Sequence, residues 1–129
     1  YEIYQCDWSS DVCSSDLLFL KAEDEERYFE FNFSPSTQWA AYSFSKYREG
    51  MTDWPVSVDP VIECENEFSL HVDLDLTGIP VGKLLIGLSA VIEETDGSKS
   101  YWALAHPPRK PDFHHPACFA LELPAPSGA

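Results

Sequence analysis

The clearest alternation of apolar and polar positions along the chain lies at residues 28–33. Every second position there is a phenylalanine, and the positions between hold a tyrosine, a glutamate and an asparagine. A period of two is typical of a strand with one buried face. Residues 34–37 supply turn chemistry around Pro35, and an aromatic-rich strand pattern resumes at residues 38–44. The pattern predicts a β-hairpin whose phenylalanine face is core, formed by Phe29, Phe31 and Phe33.

Further strand-like segments follow at short intervals, and none of the chain shows a sustained 3.6-residue period. Residues 83–94 are apolar on both faces, which predicts a central strand covered on both sides, and Asp96-Gly97 predicts a hairpin turn after it. Residues 45–58 contain Gly and Pro breakers without alternation and are predicted to form a long loop. The pattern predicts an all-β antiparallel β-sandwich, of immunoglobulin-like or jelly-roll type. Its other predicted strands are residues 18–21, 60–65, 67–76, 99–105 and 117–123.

The charge of the chain limits the classes of partner that it is expected to bind. Its 129 residues include 22 Asp and Glu against 8 Lys and Arg, for a net charge of −14. This balance argues against nucleic acid and anionic membranes as partners. The longest apolar run, residues 84–92, is broken by Gly87 and Ser89 and is too short to span a bilayer. We expect one soluble domain, with its oligomeric state left open.

Residues 1–17 do not fit the strand pattern. Residues 7–17 are similar, residue for residue, to the conceptual translation of a common short-read sequencing adapter, and Tyr1-Glu2-Ile3 matches its upstream part. We therefore expect a non-native, poorly ordered segment that contributes −4 of the net charge, with the domain at residues 18–124 and a frayed tail at 125–129. On this interpretation the natural N-terminus is missing, so no leader can be sought, and a cytoplasmic location is only the default expectation.

Five motifs occur in order along the rest of the chain: residues 30–36 (Glu-Phe-Asn-Phe-Ser-Pro-Ser), 39–42 (Trp-Ala-Ala-Tyr), 47–48 (Tyr-Arg), 101–104 (Tyr-Trp-Ala-Leu) and 111–114 (Pro-Asp-Phe-His). Together they resemble the bacterial DOMON-like proteins, which are related to family 9 carbohydrate-binding modules. The resemblance extends from residue 18 to about residue 123. It implies a DOMON-type β-sandwich, from which the N-terminal strands of the family are absent, and a superfamily whose members bind sugars or haem.

A sugar site combines an aromatic platform with polar groups that pair with hydroxyls. We expect a cleft beside Glu30, closed by the loops at residues 47–48 and 111–114. In the alternative hypothesis, Glu30 and Asn32 are buried in a structural network with Glu30 paired to Arg48, and the aromatic residues are ordinary core. The candidate ligand-binding residues are Glu30, Asn32, Trp39, Tyr42, Arg48, Trp102, Asp112 and His114.

No cofactor or metal is expected from residue spacing. Haem would need a Met/His or His/His axial pair, for which the chain offers Met51 and four histidines. Neither the histidines and Asp112 of the Pro-rich segment nor the row His71, Asp73 and Asp75 has a recognised metal spacing. Cys64 and Cys118 are expected to be free thiols, because they form no Cys-x-x-Cys motif. The histidines are His71, His106, His114 and His115.

Enzyme signatures are sparse. There is no Ser-His-Asp order on a nucleophile elbow and no phosphate-binding Gly loop, and a glycosidase would rest on Glu30 with Asp112 as a carboxylate pair whose separation the sequence does not give. The leading interpretation is a non-catalytic binding module for a carbohydrate or a related polar small molecule. The alternatives are a haem-binding DOMON domain and a structural β-domain without a ligand.

Overall fold

The computed structural model describes residues 12–34, 38–66, 69–79, 82–94, 98–103 and 112–124. Regular structure in these ranges is all β apart from one short 3-10 helix at Pro116–Cys118, which confirms the predicted fold class. No helix in the described part of the chain is long and apolar enough to cross a membrane. The strands are β1 (Val12–Ala22), β2 (Tyr28–Phe33), β3 (Trp39–Phe44), β4 (Thr52–Asp53), β5 (Val61–Asn66), β6 (Ser69–Asp73), β7 (Leu84–Glu94), β8 (Lys99–Ala103) and β9 (Leu121–Leu123).

Seven of these strands form one antiparallel sheet in the order β4-β3-β2-β1-β7-β8, with β9 also paired to β7. The central strand is β1, which pairs with β2 on one side and along its whole length with β7 on the other. The hairpin of β2 and β3 forms as predicted, with Tyr28 opposite Phe44 and Phe33 opposite Trp39. Strands β5 and β6 form a separate two-stranded sheet.

One face of the large sheet, here called the phenylalanine face, forms the larger core cluster. Phe29, Phe31 and Phe33 are all buried there, as predicted. Ile62 of β5 and Val72 of β6 pack against this cluster, so the small hairpin is a second layer over the phenylalanine face. The architecture is therefore sandwich-like, with two sheets enclosing an apolar core.

The opposite face, here called the Glu30 face, has its own smaller cluster. Phe19, Tyr28 and Phe44 are buried in it, and Phe113 and Phe119 pack on them from the segment that follows β8. This segment is thus the cover of the Glu30 face. Both faces of the large sheet are closed over their central strands, and neither is a simple solvent face.

The expectation of poor order in residues 1–17 is wrong for residues 12–17, since β1 begins at Val12 and Leu17 is buried in the smaller cluster. Backbone pairing explains this order, because β7 offers a row of N–H and C=O groups that a strand of almost any composition can satisfy. Residues 1–11 lie outside the described residues. The origin of the segment stays a prediction.

Other elements also differ from the expectation, including the strand predicted at residues 67–76, which ends at Asp73. The predicted strand at 117–123 is shortened to β9, because His115 Nδ1 accepts a hydrogen bond from the Ala117 N–H and starts the 3-10 helix instead. The loop at 45–58 contains the short strand β4, which pairs with β3. Strand β7 is central, yet Leu88 is 44 % exposed, so the predicted cover on both sides is incomplete.

Candidate functional site

Six of the eight candidate ligand-binding residues are on or above the Glu30 face, and the two tryptophans are elsewhere. Trp39 packs against the phenylalanine cluster on the opposite face. Trp102 lies on the outer strand β8, three strands from Glu30, in register with Ala90. Its ring is 60 % exposed, and its Nε1–H donates to Ser100 Oγ at 2.9 Å. Neither tryptophan can therefore form a platform beside Glu30.

Glu30 and Asn32 do not open into a cleft, which corrects the expectation of direct ligand contact by these two residues. Both side chains are buried, and Asn32 Nδ2 donates to Glu30 Oε2 at 3.2 Å. The alternative hypothesis is right that both side chains are buried but wrong about the partner of Glu30: Arg48 pairs with Asp112, and His114 Nε2 lies 3.2 Å from Glu30 Oε1. Tyr42, opposite Glu30 on β3, is half-buried on the same face. The physical reason is the cover: the segment carrying His114 closes over these polar side chains.

A chain of hydrogen bonds links the loop at Arg48 to this buried pair. The Arg48 backbone N–H donates to the Tyr28 hydroxyl at 3.0 Å, and that hydroxyl lies 2.8 Å from His114 Nδ1. The hydroxyl therefore connects the Arg48 backbone to His114, and His114 Nε2 in turn lies 3.2 Å from Glu30 Oε1. Burial raises the pKa of Tyr28 to about 12, which keeps this hydroxyl a donor at neutral pH.

The two loops predicted to meet do so through Asp112. Arg48 Nη2 contacts Asp112 Oδ1 at 2.6 Å, and the Tyr47 hydroxyl donates to Asp112 Oδ2. Partial burial raises the pKa of Asp112, but the hydrogen bonds from Arg48 and Tyr47 outweigh it and hold that pKa below its usual value. The backbone of Arg48 has φ 54°, a left-handed conformation that is uncommon outside glycine. Asp112 therefore ties the loop after β3 to the cover of the Glu30 face.

A pocket of about 390 Å³ opens beside this junction, over the ends of β1 and β2. It brings aromatic rings, an imidazole and four ionic side chains to one place. Most of its lining residues were not predicted from the sequence. Lys21 could have been, because it shares the alternation of Leu17 and Phe19 and is therefore a cation on a buried strand face. The lining residues are Lys21, Glu26, Tyr28, Lys46, Tyr47, Glu49, His114, Pro116 and Phe119.

The described residues do not fit an axial pair for haem or a metal cluster. Both ring nitrogens of His114 face protein partners, and His115 Nδ1 accepts from the Ala117 N–H. His71 Nε2 lies 3.3 Å from Asp73, and Met51 is exposed in the loop before β4. Among the described residues, no group of three His, Cys, Asp or Glu side chains is arranged to hold a metal ion. His106 lies outside the described residues.

Cys118 is a buried free thiol, as predicted, and its Sγ donates to the Asp112 carbonyl oxygen at 3.1 Å. Burial raises the pKa of this thiol, so it stays protonated at neutral pH. The side chain of Cys64 is outside the described part of the structure. Cys118 thus acts as a packed core group that helps fix the Asp112 turn.

Comparison with known proteins returns no match, whether against protein-family models, curated proteins or solved structures. The DOMON-like resemblance consequently stays a prediction.

Proposed function

We propose that the protein is a non-catalytic binding module for a carbohydrate or a related polar small molecule, which it holds in the pocket between Tyr28, Tyr47 and Phe119. The observation that carries this proposal is the meeting of aromatic and ionic side chains in one pocket of about 390 Å³. Small-ligand sites are typically of this size and combine apolar walls with a few convergent polar groups. The motif resemblance to DOMON-like proteins points to the same class of ligand.

The rigidity of the pocket supports the proposal. Its floor is held by the Tyr28, His114 and Glu30 hydrogen bonds, and one wall is held by Asp112 between Arg48 and Tyr47. A site whose walls are already ordered loses less conformational entropy on binding. In this proposal Glu30 and Asn32 support the pocket from behind, while Tyr47 and Lys21 contact the ligand.

The state of the two candidate carboxylates favours binding over catalysis. A glycosidase needs one carboxyl to deliver a proton and a second to act as nucleophile or base, both facing the sugar. Glu30 is buried against His114 and Asn32, and Asp112 is engaged by Arg48 and Tyr47. Neither group is presented to a bound ring as acid or nucleophile.

A glycan array followed by calorimetry on the retained sugars tests the proposal. Tyr47→Ala removes an exposed ring from the pocket wall, and we expect the dissociation constant to rise about tenfold, as for the loss of one stacking ring. Tyr101→Ala is the matched control, since Tyr101 is equally exposed but lies on β8 away from the pocket. Failure to retain any sugar, or equal binding by the Tyr47→Ala protein, contradicts the proposal.

A further inference from the structure

The distribution of positive charge points to the chemistry of the ligand. The chain has only 8 Lys and Arg against 22 Asp and Glu, yet two of its lysines, Lys21 and Lys46, line the one pocket described above. Lys46 is already neutralised, because its Nζ lies 3.1 Å from Glu49 Oε2. The contact of the Lys21 ammonium is the Ala22 carbonyl oxygen at 3.3 Å. Among the described residues, no carboxylate lies within ion-pair distance of Lys21.

Lys21 has a fixed position in the pocket lining because it belongs to a central strand of the sheet. Lys21 is on the central strand β1, opposite Tyr28 on β2 and Leu85 on β7, and it projects from the Glu30 face. It is half-buried and lines the pocket, and a half-buried lysine generally packs its aliphatic stem against the protein while its ammonium stays toward water. A lysine on an ordered strand loses less conformational entropy when it pairs with a ligand than a lysine on a mobile loop does.

We propose that Lys21 recognises a carboxylate on the ligand, and that the ligand is a sugar acid: a hydroxylated ring bearing one carboxylate. This inference rests on the proposed function and narrows it. The ammonium of Lys21 supplies one compact positive charge, which suits one monovalent group. Glu26 on the same pocket can accept hydrogen bonds from hydroxyls, and its charge disfavours a doubly charged phosphate more than a singly charged carboxylate. Tyr47 and Phe119 supply the apolar surface for the ring.

The test compares matched sugars on the full chain by calorimetry at low salt. Glucuronate and galacturonate are each measured beside glucose, galactose and the corresponding sugar phosphates. We expect the acids to bind about fivefold more tightly than the neutral sugars, the range of one partly exposed ion pair, with the difference shrinking as salt is added. Lys21→Gln should abolish the difference, so that the acids and the neutral sugars bind alike.

Two variants keep the result interpretable. Lys21→Arg retains the charge and should retain the preference for acids, which separates the loss of charge from the loss of folding. Lys99→Gln removes an exposed lysine on β8, outside the pocket, and should leave the preference unchanged. Equal binding of acid and neutral sugars, a preference for phosphates, or an unchanged preference in Lys21→Gln overturns the inference but leaves the proposed function standing. Binding of no sugar at all overturns both.

Discussion

The carboxylate of Glu30 is fully buried on a strand whose alternation assigns it to the polar face. Alternation correctly separates the phenylalanines from their neighbours, but it does not reveal what packs above the second face. That cover comes from the His114 segment, whose Pro-rich sequence has no period. The local pattern therefore assigned Glu30 and Asn32 to the correct strand face but gave them the wrong exposure, because burial of a polar side chain depends on a distant part of the chain.

Glu30→Gln should lower the free energy of unfolding by about 3 kcal/mol. The substitution removes a charged partner from a buried group of hydrogen-bonded side chains, and breaking such a pair is among the costliest single changes. Urea denaturation at neutral pH measures the loss. Glu49→Gln, which alters an exposed ion pair with Lys46, is the control and should cost no more than about 0.5 kcal/mol. Equal stability of the two variants contradicts the buried network.

Asp16 is a second carboxyl, this one only partly buried, and its removal should stabilise the protein at neutral pH, the opposite of the effect expected for Glu30. It is half-buried on the central strand, and burial raises the pKa of its carboxyl above the usual 3.8. The folded state thus favours the protonated form, a contribution that is fully present below the unfolded pKa and lost as pH rises through the folded pKa. Asp16→Asn should therefore raise the melting temperature at pH 7 and have little effect near pH 3. Thermal melts at the two pH values check this, and an equal effect at both contradicts it.

At the scale of elements, the phenylalanine row of β2 carries the largest share of the main core. Phe31 is fully buried between β1 and β3, opposite Leu18 and Ala41. Phe31→Ala should cost about 3 to 5 kcal/mol, the range for emptying an aromatic site in a core. Chemical denaturation measures it, with Phe113→Ala as a comparison at a half-buried site in the cover, where a smaller loss is expected.

The pairing of strand β1 reverses the effect on stability that we expected from deleting residues 1–17. If residues 1–17 were an unpacked appendage, their deletion would change stability by no more than about 0.5 kcal/mol. With β1 beginning at Val12 and Leu17 buried, deletion removes half of the central strand and unpairs residues 89–94 of β7. We now expect a loss of several kcal/mol in a thermal melt, on the order of one large core side chain or more. A protein that melts unchanged without residues 1–17 would contradict the pairing described for this half of β1.

The elements that were correctly predicted from the sequence each have a recognisable local sequence pattern. The β2–β3 hairpin has alternation and a Pro-containing turn, and β7 has a long apolar run, so both were predictable. The start of β1 and the short β9 have no such signal, since one is determined by backbone pairing with a remote strand and the other by the histidine cap at His115. In the candidate site, Arg48, Asp112 and His114 were predicted together from their motifs, whereas Lys21 comes to line the pocket only when β1 pairs with β2.

At the scale of the whole molecule, the large sheet is a middle layer with unequal covers. The β5–β6 hairpin closes the phenylalanine face, and the 112–120 segment closes the Glu30 face and leaves the pocket at its edge. The aromatic and polar motifs are thus divided between the two covered faces of the sheet and do not line one cleft. This arrangement accounts for the separation of Trp39 and Trp102 from the other candidate residues.

The pairing of β1 with β7 also constrains how the chain folds during synthesis. Strand β1 precedes every other described strand, but half of its hydrogen-bonding partners are on residues 84–94. Proteins dominated by such distant pairings close large loops before they gain stabilising contacts, and they refold on a timescale of about milliseconds to seconds. We expect a chain that ends at residue 83 to remain unfolded, and a chain that includes β7 and the cover to refold slowly, as stopped-flow tryptophan fluorescence would measure. Until β7 leaves the ribosome, the apolar side chains of β1 and β2 lack their final neighbours, and the nascent chain is most exposed to aggregation in that interval.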